Sequence, residues 1–197
     1  MARETDAQAA ALWTWSAVAA GAIAALVIQA ILTMLALGVG LLAVDLPTAN
    51  AAPVTVSTAA LLWWIFSGIF SAFAGGAVAG AYAPVTDERS RGVHGVAAWA
   101  VATLIVIGAS ALSSSAVVAG MSGPGYSVTT RVAAVNRPGA PQLSAAQVEQ
   151  LRKAFAATML ASVVGLLAGA VAAGAGGWYG REMAEEMNVP AGRRRAA

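Results

Sequence analysis

The chain has 197 residues, of which 59% are apolar and only 10% charged, with a formal net charge of +2 at pH 7 and a mean hydropathy of +0.73. A soluble domain carries roughly 25% charged residues, so water cannot be the solvent for most of this surface. Cysteine is absent, which removes disulfides, thiolate metal sites and cysteine nucleophiles. The basic residues stand at the ends of apolar runs rather than interleaved with aromatics, so nucleic acid is not an expected partner.

Four stretches without a charge are long enough for a helix to cross the hydrocarbon core, which takes about 20 apolar residues. They are Leu12 to Val44, Ala59 to Ala83, Val96 to Met121 and Ala154 to Trp178. The predicted fold class is all-α, an integral membrane four-helix bundle. One transmembrane domain runs through about residue 187, and a basic tail, 188–197, follows it.

Breakers bound the stretches: Asp45 and Pro47 after the first, Pro53 before the second, Pro84 after it, and Gly123-Pro124-Gly125 after the third. The first stretch is followed by small residues at Thr48 to Ala52 that resemble a cleavage site. It is nevertheless far longer than the roughly 7 to 15 residues of a signal core, and reads as a retained span. That excess length predicts a helix that tilts, projects past the lipid, or breaks near Gly38 and Gly40.

The second span carries Gly68, Ala72, Gly76 and Gly80 at intervals of four, with Ser67, Ser71, Gly75 and Ala79 beside them. The fourth repeats the device with Ala161, Gly165, Gly169, Ala173 and Gly177. Such spacing draws one nearly straight stripe along a helix. Helices in lipid associate through close packing and interhelical hydrogen bonds, which small residues permit. Gly68, Ala72, Gly76, Gly80, Gly165, Gly169, Ala173 and Gly177 are therefore expected to be helix-packing positions, within the chain or against a second copy. The likeness of Ala74 to Tyr82 to Leu167 to Tyr179 suggests an internal duplication of a helical hairpin about an axis along the membrane normal.

Before the fourth span, Ser144-Ala145-Ala146-Gln147 is a capping-box pattern. The fourth helix is thus predicted to begin outside the lipid, with Glu149 paired to Lys153. An apolar face of Val148, Leu151 and Phe155 is available to rest on the bilayer surface or on the preceding loop.

Aromatic residues favour the water–lipid boundary. Trp13, Trp15, Tyr82, Trp99, Trp178 and Tyr179 are expected at one face, and Trp63 and Trp64 at the other. The tails and middle connection hold Arg3, Arg89, Arg91, Arg181 and Arg193 to Arg195, against Arg131, Arg137, Arg152 and Lys153 on the opposite side. Basic residues concentrate in the cytoplasm, so both termini are predicted there.

Polar side chains inside the spans include Gln29, Thr33, Ser110 and Ser114, and none is ionisable. Ion-coupled transporters keep carboxylates or histidines within the membrane, which disfavours that class. Gln29, one turn before Thr33, calls for an interhelical partner. His94 stands alone in the predicted turn with Asp87 and Glu88, and one histidine without cysteine builds no ordinary zinc site. No nucleophile–base arrangement is visible, so no catalytic residues, metal or cofactor are predicted.

Trp15-Ser16-Ala17 through Gly38 and Gly40, Leu62-Trp63-Trp64 with Gly75-Gly76 and Gly80, and His94-Gly95 before Trp99 together resemble bacterial four-span PhnA-like membrane proteins. The resemblance covers most of the chain. It implies the architecture and a bacterial inner membrane, without an activity or site residues. The expected function is a non-enzymatic structural or accessory subunit that associates through its glycine-rich helix faces, its partners being the lipid bilayer and either further copies of itself or a membrane protein complex. The alternative is an oligomeric pore for a small solute, lined by the Ser110 and Ser114 face of the third span.

Overall fold

The computed structural model describes residues 2–43, 58–85, 87–112, 121 and 144–188. Every element among them is a helix: α1 Ala2–Ala43, α2 Thr58–Tyr82, α3 Glu88–Leu112 and α4 Ala145–Asn188. All four are long and apolar enough to cross a membrane, as the four-span reading requires.

The helix ends follow local chemistry. Pro84 stands just past the last residue of α2, where it cannot extend a helix. Asp87 caps α3, its Oδ2 accepting from the Ser90 N–H and from the Ser90 hydroxyl, each at 3.0 Å. The cap moves the start of α3 from the expected Val96 back to Glu88. Arg91 and His94 therefore lie on a helix and not in a turn.

The capping box of α4 forms as predicted. Ser144 N–H donates to Gln147 Oε1 at 2.8 Å, and Gln147 N–H donates to Ser144 Oγ at 3.3 Å. Glu149 meets Lys153 at 3.5 Å and Arg152 at 2.9 Å, all three exposed. α4 is one uninterrupted helix from Ala145 to Asn188, so its first turns are continuous with the apolar run that follows them.

α1 likewise runs unbroken through Gly38 and Gly40 to Ala43. At 1.5 Å per residue its 42 residues extend about 63 Å, roughly twice a hydrocarbon core of about 30 Å. The break expected near those glycines is absent.

The chain forms two compact units. The first comprises Met1–Ile28, Ile69–Leu104 and Ala168–Ala197; the second comprises Gln29–Gly68 and Ile105–Leu167.

In the first unit the contacts define the order of the helices. Gly21 of α1 lies on Gly75 and Ala79, and Gly75 lies on Ala25, so α1 and α2 run antiparallel. Gly76 lies on Ala173 and Gly80 on Gly177, so α2 and α4 run parallel. Gly95 lies on Ala173 while Gly177 lies on Arg91, so α3 and α4 are antiparallel. Val18 packs with Ala98, and Ala22 and Ala25 pack with Ala102, which sets α1 parallel to α3. Apart from Val18, the buried apolar side chains among the described residues are all alanine. With so little between them, the helix axes approach closely.

In the second unit the helices meet through side chains, and its glycines behave differently. A Cβ placed on Gly38, Gly68 or Gly108 meets nothing within 4 Å.

The outward faces are bulky. Ile23 and Val27 on α1 are 62% and 52% exposed, and Leu167 and Val171 on α4 are 64% and 74% exposed. Water would drive such rows inward, whereas lipid tails solvate them.

Candidate functional site

Within the spans, the small and polar side chains are where function could reside. In the first unit, the α2–α4 seam brings backbone onto backbone. A Cβ on Gly76 would overlap the Ala173 carbonyl oxygen, and one on Gly80 the Gly177 carbonyl. Reciprocally, a Cβ on Gly176 would overlap the Phe73 carbonyl, and one on Gly180 the Ala77 carbonyl. Glycine Cα hydrogens facing carbonyl oxygens are the close contact that small residues allow between membrane helices.

These four contacts are related by one offset, residue n of α2 corresponding to n + 100 of α4, which turns Gly76–Ala173 into Gly176–Phe73 and Gly80–Gly177 into Gly180–Ala77. The relation stops at that pair. Gly21 of α1 meets α2 at Gly75 and Ala79, which the offset maps onto Ala175 and Tyr179, whereas Gly95 of α3 meets α4 at Ala173 and Gly177. The two hairpins thus differ at these glycine contacts.

The α4 stripe serves two kinds of neighbour. Ala173 and Gly177 receive the backbones of α2 and α3. Gly169 receives the Trp99 indole, whose Nε1 would stand 2.9 Å from a Cβ there. In the second unit, Gly165 receives the Trp64 ring, which would stand 3.0 Å from a Cβ there. Ala72 is buried, while Gly68 has open space where a side chain would go.

Polar groups in the second unit are joined in series. Gln29 Nε2 donates to Ser67 Oγ at 3.3 Å, and Ser67 Oγ donates to the Trp64 carbonyl at 3.1 Å. Thr33, one turn after Gln29, is buried as well. Trp63 Nε1 donates to the Leu32 carbonyl at 3.3 Å, and Trp64 Nε1 to the Met121 carbonyl at 3.4 Å. Both indole N–H groups expected at the water boundary are thus satisfied by protein. Ser110 Oγ turns back to the Val106 carbonyl of its own helix at 2.6 Å, as hydroxyls inside membrane helices do. Ser114 lies outside the described residues, as do most of the connection between α3 and α4 and the basic tail.

Exposure separates the aromatic residues. Trp15, Tyr82, Trp178 and Tyr179 are exposed, as boundary anchors would be. Trp99 instead covers Gly169, and the side chain of Trp13 lies outside the described set.

Sequence reasoning missed a polar feature at the start of α3. Arg91 is only 5% exposed, its N–H donates to the Asp87 carbonyl at 3.1 Å, and its own carbonyl lies against Gly177. His94 Nδ1 is 2.7 Å from the Ser90 carbonyl. A carbonyl only accepts, so Nδ1 carries the proton, and Nε2 is buried without a hydrogen-bond partner among the described residues. The signal available in the sequence was the Asp87-x-x-Ser90 cap, which places both residues on the helix that Gly92 and Gly95 bring against α4.

Gly21, Gly95, Gly176 and Gly180 were likewise missed. They fall outside the stripes singled out by their spacing, although Gly176 and Gly180 repeat the interval of four.

Among the described residues, no three His, Cys, Asp or Glu side chains are grouped to hold a metal ion. Asp87 is held below its ordinary pKa, first by the Ser90 backbone N–H and then by the Ser90 hydroxyl, the electrostatics of a helix cap. Compared with family models, curated proteins and solved structures, the chain matches none.

Proposed function

We propose that this chain is a non-enzymatic multi-pass membrane protein acting as a structural or accessory subunit. One observation supports the reading: polar side chains within the spans hold helices together. Gln29, Ser67, Trp63 and Trp64 all bond within the protein, and Ser110 bonds within its own helix. Among the described residues, the spans expose many large apolar side chains, such as Ile23, Val27, Leu167 and Val171.

The glycines of the α2–α4 seam are covered inside the chain. Association with a second copy or with another membrane protein is then left to the faces that this seam does not occupy, among them the open side of Gly68 on α2 and the row of Ile23 and Val27 on α1. The proposed location is a bacterial inner membrane with both termini in the cytoplasm. The excess of basic residues on that side supports the orientation, and the resemblance to PhnA-like membrane proteins supports the membrane.

Mild-detergent purification of the tagged full chain tests the proposal. A stoichiometric companion, or a discrete oligomer by light scattering, is the expected result. Solute flux into liposomes that is abolished by Ser110→Leu or Ser114→Leu would overturn it in favour of a pore. Protease protection that places the basic tail outside would overturn the orientation alone.

A further inference from the structure

We draw no further inference here: the strongest candidate, the outward apolar row of Met34, Leu35, Leu37 and Val39 where α1 continues past Thr33, is exposed among the described residues, but nothing in the structure shows what covers it.

Discussion

The two units solve the same problem by different chemistry. In the first, glycine removes the side chain so that one helix backbone lies on another, at Gly21, Gly76, Gly80, Gly95, Gly176, Gly177 and Gly180. In the second, Gly38, Gly68 and Gly108 have no neighbour where a Cβ would point, and the helices are tied by indole, amide and hydroxyl hydrogen bonds. Glycine content alone therefore says little about a membrane helix. What matters is whether a neighbouring backbone occupies the space that the missing side chain leaves.

The largest effect is expected at the seam. Gly76→Leu or Gly176→Leu places a branched side chain against carbonyl groups that cannot rotate away, at a cost of about 3 kcal/mol or more. Thermal unfolding in detergent, followed by circular dichroism, should show loss of the folded bundle. Gly68→Leu, made in parallel, should stay folded, and equal losses at Gly68 and Gly176 would sink the contrast between the units.

A finer form of the comparison uses alanine. Gly80→Ala and Gly180→Ala should each lower the unfolding midpoint by an amount corresponding to about 1–3 kcal/mol. Gly38→Ala and Gly108→Ala should leave it unchanged or raise it, since alanine is the better helix former.

Directional bonds in the second unit are expected to be weaker. Gln29→Leu removes the donor to Ser67, and interhelical hydrogen bonds of this kind average about 0.6 kcal/mol in a membrane, reaching about 1.7. Trp64→Phe keeps a ring over Gly165 and removes the N–H bonded to Met121, with a loss in the same range. Denaturation by graded SDS resolves such differences, and a loss at Gln29 as large as at Gly176 would contradict the ranking.

The smallest effect lies outside the spans. The pKa of Asp87 is lowered from its ordinary value of 3.8, so its stabilisation of α3 is fully present above that value. It is lost as pH falls through the lowered pKa. The protection of the Ser90 and Arg91 amides, corrected for the intrinsic pH dependence of exchange, should fall below about pH 4. In Asp87→Asn that acid-dependent step should disappear, because an amide does not titrate there.

Much of the architecture was legible because hydrocarbon imposes a coarse rule. A span is a run of about 20 residues without charge, and Leu12 to Val44, Ala59 to Ala83, Val96 to Met121 and Ala154 to Trp178 obey it. The Ser144–Gln147 box was also readable, since a cap depends on four adjacent residues. The start of α3 was not, because an uncharged run marks only where the apolar segment begins, whereas the Asp87 cap draws Arg91 and His94 into the helix ahead of it.

The sequence by itself determined four apolar helices, their approximate ends and the small-residue faces on α2 and α4. Only the tertiary structure decided which glycines meet backbone, which meet an indole and which meet nothing. It also decided that Gln29 pairs with Ser67 and that Trp63 and Trp64 bond to protein carbonyls. Spacing of four marks a face of one helix, but a contact needs a second helix at a particular rotation and depth, and those are properties of the assembled bundle.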